Sequence, residues 1–151
     1  MLVIIPDIKT QIMYRCKIKL LCYFNHIATK IIKSSLDVRI GFLHATNRRK
    51  ESLNLDIAEI FRPLIVDRIV FSLINRREIY SAHFYKTEND GVFLNEDGKR
   101  IFLREFYAKL NSTQTIKDKQ VSYSTLIDRE IQKLTRRFRQ GEKYKAFRQV
   151  R

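Results

Sequence analysis

The chain has 151 residues, the length of about one ordinary domain, and 44% of them are hydrophobic, which is enough to form a buried core. Four glycines and two prolines are too few for the many turns of an all-β fold, so the composition favours long helices. Thirty lysines and arginines against sixteen acidic residues give a net charge of +14, which indicates a polyanionic partner, nucleic acid first and an anionic membrane surface second, or else a highly charged solvated surface.

The N-terminal stretch, residues 1–16, is apolar and basic without a clean period, and we predict no regular element there. Its opening "MLVIIP" is too short for the core of a signal peptide. No window holds about 18 uncharged apolar residues, so no membrane span is expected. Cys16 and Cys22 are too few for a zinc site or a disulfide framework, which favours buried reduced thiols and a cytosolic compartment.

Two helices are predicted in the first half of the chain. Residues 17–33, "KIKLLCYFNHIATKIIK", have apolar groups at roughly helical spacing, with lysines on the other side. The connection "SLDVRIGFLHATNRRK" follows, with Gly41 as its hinge, and a second helix begins near Ser52. The apolar stripe of that second helix consists of Leu53, Ile57, Ile60 and Leu64.

The middle of the chain predicts a buried helix and a short hairpin. Pro63 either kinks the second helix or opens the next one. The following "LIVDRIVFSLIN" is apolar almost all round, which predicts a central buried helix. Two strand-like pieces, residues 80–85 and 92–94, are separated by the turn residues "NDG".

The last third predicts two more helices joined by a polar linker, "NSTQTIKDKQ". Asn95 or Asp97 caps the first of them, and Ser122 or Ser124 caps the second, which Gly141 ends. The buried stripe of the last helix is Leu126, Ile127, Ile131 and Leu134. The tail beyond Gly141 is basic with interleaved aromatics, which predicts either a nucleic-acid contact or a solvated helix end.

One short span, "GFLHATNRRKESLNLDIAEIFRP", brings together a histidine and two carboxylates. Asp56 and Glu59 are neighbours on the predicted helix, and like charges at this spacing repel unless a positive group lies close. A divalent cation is one such group, and His44 with the two acids suits Mn²⁺ or Mg²⁺. The nearby arginines are another: Arg48, Arg49 and Arg62. A lone histidine is more often structural than a ligand, so the spacing leaves both explanations open.

The charge around this span adds a chemical interpretation. A hard cation beside "NRRK" would face phosphate oxygens, activate a hydroxyl nucleophile or neutralise charge at phosphorus. Cations for binding and carboxylates for a metal are the ingredients of an enzyme that cuts or joins DNA. The candidate DNA-binding residues here are Arg48, Arg49, Lys50 and Arg62.

Three stretches resemble one known family. "IGFLHATNRRKESLNLDIAEIFRPLIVDRIVFSLINRREI" combines "GFLH" with "SLxLDxxExFRP", a pattern specific to the CRISPR-associated spacer-acquisition integrase and endonuclease family, the first-numbered Cas protein ("Cas-one"), most like its type I-B branch. "HFYKTENDGVFLNEDGKRIFLREFYAKL" and "SYSTLIDREIQKLTRRFRQGEKYKAF" agree with it. The match runs from about residue 36 to residue 147 and is weaker over residues 17–35.

The resemblance implies a mainly α fold, the helical C-terminal catalytic domain of that family, with at most a short β-hairpin. It divides a single-domain chain into a poorly matched segment with one helix, residues 1–35, and the helical catalytic domain, residues 36–151. The family's N-terminal β-domain has no counterpart in this sequence.

The resemblance also implies chemistry. The family is a metal-dependent DNA endonuclease and integrase, in which the 3′-hydroxyl of a captured protospacer attacks the repeat boundary of a CRISPR array. Its Mn²⁺ or Mg²⁺ is held by a glutamate, a histidine and a second acid. His44 matches the histidine, Glu59 the second acidic ligand and Asp56 a companion acid, so these three are the implied catalytic residues. Arg62 matches a basic residue near the site.

The implied partners are double-stranded DNA, both protospacer and CRISPR repeat, and a dimer of the second-numbered Cas protein that bridges two integrase dimers. The implied location is the prokaryotic cytoplasm, with no membrane. The family's first metal ligand is an upstream glutamate, but no glutamate precedes Glu51 here, and the earlier acids, Asp7 and Asp37, stand in other contexts. We therefore expect weak or no integration by this chain alone, and the alternative function is a non-catalytic basic helical DNA-binding module.

Overall fold

The computed structural model describes residues 17–43, 51–87 and 92–148. In these ranges the chain forms five α-helices, a short 3₁₀ helix (Ser81–His83) and two antiparallel hairpins, which confirms the mainly α fold class. The helices are α1 (Lys17–Ile32), α2 (Ser52–Phe61), α3 (Val66–Asn75), α4 (Glu96–Asn111) and α5 (Tyr123–Gln140). The strands are β1 (Phe84–Lys86), β2 (Val92–Leu94), β3 (Thr113–Ile116) and β4 (Lys119–Ser122).

Helix α1 covers α2 through one apolar face. Tyr23, Ile27 and Ile31 are fully buried and lie about one helical turn apart. The predicted apolar face included the two isoleucines but not Tyr23. The Tyr23 hydroxyl donates a hydrogen bond of 2.7 Å to the Ala58 carbonyl on α2. Because a buried hydroxyl needs a partner, this bond fixes how the two helices are aligned.

Helices α2 and α3 differ in part from the prediction. Helix α2 begins at Ser52 as expected and ends at Phe61, so Pro63 lies in the connection between two helices and kinks neither. Helix α3 is amphipathic and is not buried all round, because Arg68 and Phe71 lie on an exposed face. Its buried positions are Val66, Ile69, Val70 and Leu73.

The caps of the last two helices confirm the predicted boundaries. The Asn95 side chain accepts a hydrogen bond from the Gly98 amide at the start of α4, and the Ser122 hydroxyl accepts one from the Thr125 amide at the start of α5. Gly141 ends α5 in the left-handed region at φ 69°. The predicted stripe of α5 is buried throughout: Leu126, Ile127, Ile131 and Leu134.

A second hairpin occupies the stretch predicted as a polar linker. Strand β3 pairs with β4 so that Thr113 lies opposite Ser122 and Ile116 opposite Lys119. Lys117 and Asp118 form the turn, and both have positive φ, at 47° and 62°. Turns of this kind usually carry asparagine or glycine, so the sequence lacked the usual hairpin signal and the linker prediction was wrong. The first hairpin, β1 with β2, matches the prediction at its second strand.

The predictions about cysteines and membranes concern smaller features. Cys22 is a free thiol, partly buried, and burial raises its pKa; Cys16 lies outside the described residues. Among the helices in the described part of the chain, none combines the length and apolar character needed to cross a bilayer.

Candidate functional site

A short turn preceding α2 is docked on that helix by hydrogen bonds. We call residues 41–43 the site turn. The amides of Phe42 and Leu43 both donate to Asp56 Oδ2, at 2.6 and 3.1 Å, and the Gly41 amide donates to Ser52 Oγ at 3.0 Å. Because Ser52 and Asp56 are one turn apart on α2, they lie on one face of the helix, and the site turn is hydrogen-bonded to that face.

Gly41 is required by this close docking. A Cβ atom at position 41 would lie 2.7 Å from Asp56 Oδ2 and 2.8 Å from the Ser52 carbonyl carbon, both closer than real contacts allow. The predicted hinge glycine is therefore a residue of close approach between two pieces of backbone.

The two predicted carboxylates lie in different environments. Asp56 is completely buried, and its Oδ2 atom is occupied by the amides of the site turn. Glu59, one turn later, is exposed. Asp56 therefore stabilises the backbone of the site turn from a buried position, whereas Glu59 lies at an exposed position of α2.

The remaining predicted site residues are only partly described. His44 follows Leu43 directly in the chain and lies outside the described residues. The basic residues Arg48, Arg49 and Lys50 also lie outside them. Arg62, at the end of α2, is partly exposed, and its Nε atom is 3.6 Å from Asp67 Oδ1. The prediction that His44 meets the two acids stays a prediction.

The described donors suit a hard divalent cation in type but are too few to hold one. Carboxylate oxygens are preferred by Mn²⁺ and Mg²⁺. Within residues 17–43, 51–87 and 92–148, no three histidine, cysteine or acidic side chains are grouped to hold a metal. A metal here therefore needs a ligand from beyond these ranges, for which His44 is the predicted residue.

Asp37, an acid upstream of the site turn, is engaged elsewhere. Its carboxylate is bound by the Arg39 guanidinium, with Arg39 Nη2 at 2.7 Å from Asp37 Oδ2. This hydrogen bonding by Arg39 lowers the pKa of Asp37 to about 2. Asp37 is therefore paired with a neighbouring cation, and the expectation that it does not replace the family's upstream glutamate stays a prediction.

The chain beyond α5 folds back onto the site turn. We call residues 142–148 the tail. The Tyr144 ring contacts the Phe42 ring edge-on, with centroids 6.1 Å apart, and the Phe147 ring stacks on Phe61 at 5.5 Å. Since Phe42 lies in the site turn and Phe61 ends α2, the tail touches the site at both ends of α2.

A buried carboxylate on α5 anchors the tail. Glu130 is 1% exposed, and its Oε1 atom accepts hydrogen bonds from the Tyr144 hydroxyl at 2.6 Å and the Phe147 amide at 3.1 Å. Lys133 Nζ lies 2.9 Å from the other carboxylate oxygen. Burial, the bond to Glu130, and the charges of Glu130 and Asp56 raise the pKa of Tyr144, so its hydroxyl stays neutral and donates.

Sequence reasoning missed this anchor. Tyr144 and Phe147 each contact a protein ring, which was not predicted. The nucleic-acid contact of the basic tail stays a prediction. One signal existed: Glu130 stands inside the apolar stripe of α5, between Ile127 and Ile131. An acid at a core position of a helix requires hydrogen-bond donors from elsewhere in the chain.

The fold defines a class of proteins. A structure of a CAS1 protein from Thermotoga maritima matches with a TM-score of 0.73 and 36% identity, covering 82% of this chain and 39% of that one. A casposase bound to integration product matches with a TM-score of 0.74 and 28% identity, covering 87% of this chain and 41% of that one. The helical domain thus has the fold that the CAS1 protein and the casposase share.

The sequence narrows this class to one family. The family model described as CRISPR associated protein Cas1 matches residues 21–108. The CRISPR-associated endonuclease Cas1 2 of Thermodesulfovibrio yellowstonii is 46% identical over 121 residues, which cover 79% of this chain and 36% of that protein. The CRISPR-associated endonuclease Cas1 of Thermotoga maritima is 41% identical over 113 residues, 74% of this chain and 35% of that protein. The chain belongs to the Cas1 family, as its motifs indicate, and it spans little more than a third of the length of these relatives.

Proposed function

We propose that this chain is the catalytic-domain portion of a metal-dependent DNA endonuclease and integrase of CRISPR spacer acquisition. The observation that carries the proposal is the docking of the site turn on Asp56. Asp56 lies in the helix that bears Glu59, and the site turn directly precedes His44 in the chain. Membership of the Cas1 family, whose relatives are named endonucleases, supports the same activity.

Each site residue then has a distinct task. His44 and Glu59 hold Mn²⁺ or Mg²⁺, and Asp56 acts from inside the protein by ordering the turn that leads to His44. The metal, when bound, supplies a positive charge that polarises and neutralises the phosphodiester. Arg62, with Arg48, Arg49 and Lys50, supplies cations for the DNA backbone.

A basic groove beside the tail supports a nucleic-acid substrate. The groove encloses about 530 Å³ between the second hairpin and the tail, and its lining contains no acidic residue among the described side chains. Its cations are Lys117, Lys133, Lys145 and Arg148. Phe147 lines the same groove and stacks on Phe61, the last residue of α2.

The proposed partners follow from the proposed reaction. Double-stranded DNA of the protospacer and the CRISPR repeat is the substrate, and the dimeric second-numbered Cas protein joins two integrase dimers. No glutamate precedes Glu51 in this sequence, so the upstream glutamate that is the family's first metal ligand has no counterpart among these residues. We therefore expect weak metal binding, with water in the vacant ligand position, and low integration activity from these 151 residues alone.

A titration of Mn²⁺ into the full chain, followed by calorimetry, tests the proposal. His44→Ala and Glu59→Ala should each lower the affinity by about tenfold or more, because each removes a ligand. Glu96→Ala is the matched control, since Glu96 is an exposed acid at the start of α4 with 77% of its side chain accessible. The control should bind Mn²⁺ as the parent does.

A non-catalytic basic DNA-binding module is the second candidate, favoured by the basic groove. Both candidates predict DNA binding that weakens steeply as salt rises and shows little sequence preference. The metal titration separates them. If the parent and both site variants take up Mn²⁺ equally poorly while DNA binding persists, the chain is the module.

A further inference from the structure

We propose that Tyr144 is a positioning residue of the candidate active site. Its hydroxyl is held by the buried Glu130 carboxylate, and its ring restrains Phe42, so the tail fixes the turn that leads to His44. The link to catalysis rests on the proposed function, whereas the restraint of the site turn is a property of the fold itself.

The anchor end of this restraint is firmly held. Glu130 is 1% exposed, and a buried carboxylate is costly unless hydrogen-bond donors surround it. The Tyr144 hydroxyl and the Phe147 amide both donate to its Oε1 atom. The tail therefore has one preferred position, because its displacement would remove both of these donors from the buried Glu130 carboxylate.

The site end is a turn with much exposed apolar surface. Ile40 and Leu43 are 63% and 71% exposed, so these side chains contribute little packing that would hold the site turn in place. The Phe42 ring, 46% exposed, meets the Tyr144 ring edge-on, with the centroids 6.1 Å apart. Such aromatic pairs prefer a defined geometry, so a fixed Tyr144 limits the positions that Phe42 adopts.

The restraint is transmitted through backbone. The Phe42 amide makes the short bond, 2.6 Å, to Asp56 Oδ2, and the next amide, that of Leu43, completes the pair. Residue 44 directly follows this pair of hydrogen-bonded amides in the chain. A ring contact at Phe42 therefore restrains the backbone that immediately precedes the histidine in sequence.

A second contact makes the tail a bridge across α2. Phe147 stacks nearly parallel on Phe61, at an interplanar angle of 16°, and Phe61 is the last residue of α2. Phe42 is docked near the first turn of the same helix. The tail thus spans the helix that carries Glu59 and fixes the site turn relative to it.

The test uses the full chain and three variants: Tyr144→Ala, Tyr144→Phe and Tyr107→Ala. Tyr144→Ala removes ring and hydroxyl, Tyr144→Phe keeps the ring, and Tyr107, 57% exposed on α4, is the matched control. Backbone amide hydrogen exchange, followed by NMR, is measured at Phe42 and Leu43 and at the buried α5 residues Ile127 and Ile131. Mn²⁺ titrations of the same four proteins accompany it.

Tyr144→Ala should speed exchange at Phe42 and Leu43 by about fivefold or more while exchange at Ile127 and Ile131 keeps its parent rate. Tyr144→Phe should restore most of the protection, since the ring remains, and Tyr107→Ala should leave both regions as they are. Unchanged exchange at the site turn in Tyr144→Ala overturns the inference. So does a uniform rise over the whole molecule, which indicates a general structural role.

The Mn²⁺ titrations distinguish a failure of this inference from a failure of the proposed function. If the parent binds Mn²⁺, Tyr144→Ala should weaken binding and Tyr144→Phe should restore it. If the parent binds none while exchange at Phe42 and Leu43 responds as expected, the restraint of the site turn stands and the proposed function fails.

Discussion

The site turn and the tail are both docked by a buried carboxylate, but the two carboxylates differ in what surrounds them. Asp56, in the second turn of α2, binds two successive backbone amides of the site turn. Glu130, in the middle of α5, binds one hydroxyl and one amide of the tail and has an ammonium group, Lys133 Nζ, at 2.9 Å. The first carboxylate orders a local turn, and the second holds together segments that are distant from the site in sequence.

This difference predicts how many regions of the structure loosen when one of the two carboxylates is removed. A turn whose residues reach solvent can exchange lost hydrogen bonds for water, so loss of the Asp56 carboxylate should act locally. The tail contacts both Phe42 and Phe61, so loss of the Glu130 carboxylate should loosen two places at once.

The largest effect is expected from Glu130→Ala. Losing two hydrogen bonds to a buried charged group should lower the free energy of unfolding by about 3 kcal/mol. Urea unfolding measures it, with Glu142→Ala as the control, because Glu142 is an acid whose side chain is 54% exposed. The control should stay within about 0.5 kcal/mol of the parent. A loss as small as that of the control would show that Glu130 is not the anchor.

Asp56→Ala should have the second largest effect and lower the free energy of unfolding by about 2 kcal/mol. The effect is smaller than that of Glu130→Ala because the freed amides of the exposed site turn can bind water. Its signature is rapid amide exchange at Phe42 and Leu43 while Phe147 keeps its protection. If the tail lost its protection to the same extent as the site turn, the two docking points would be one cooperative unit and the comparison would fail.

Lys133→Ala probes the countercharge alone. The Lys133 side chain is 36% exposed, and that of its partner Glu130 is 1% exposed. The Lys99 side chain is similarly exposed, at 32%, but it pairs with the exposed Glu96 at the same i, i+3 spacing. Lys133→Ala should cost about 1 kcal/mol because its partner is buried. Lys99→Ala is the matched control and should lower the free energy of unfolding clearly less, because both members of its pair are exposed to solvent. Equal losses in the two variants would mean that the burial of Glu130 does not strengthen its pair.

The smallest effect is a loss of stability at alkaline pH. The pKa of Tyr144 is raised in the folded protein, so above the ordinary tyrosine pKa of about 10 the unfolded chain loses this proton while the folded chain keeps it. The stability contributed by Tyr144 is therefore complete below that pH and falls as pH rises. Because the side chain is partly exposed, we expect less than about 1 kcal/mol per pH unit.

Tyr144→Phe isolates this effect, since it removes the titrating group and keeps the ring. The difference in unfolding free energy between parent and variant should shrink between pH 9 and pH 11, about the range in which tyrosine titrates. A constant difference over that range would show that Tyr144 ionises equally easily in both states.

The sequence predicted well the features that depend on neighbours in the chain. The caps at Asn95, Ser122 and Gly141 and the stripe of α5 follow from side chains within one or two helical turns, so local patterns suffice. The resemblance to a family also predicts that His44 meets Asp56 and Glu59, and this meeting stays a prediction.

The features it missed have three different causes. Glu130 meets Tyr144 and Phe147 only after α5 ends and the chain reverses at Gly141, and no periodicity records that return. The β3–β4 hairpin forms from polar residues without a glycine in its turn. The exposed face of α3 was missed because Phe71 and Ile74 count as apolar in a pattern, although Phe71 is 47% exposed.

The fold-back of the tail has a consequence for the order in which this protein is made. The site turn leaves the ribosome early, whereas Tyr144 is synthesised roughly a hundred residues later, which at about 5–20 residues per second takes on the order of 5–20 s. During that interval the nascent polypeptide has its acid-bearing helix but not the tyrosine that steadies the turn beside it. Newly made molecules therefore complete this region only after helices α1 to α5 have been translated.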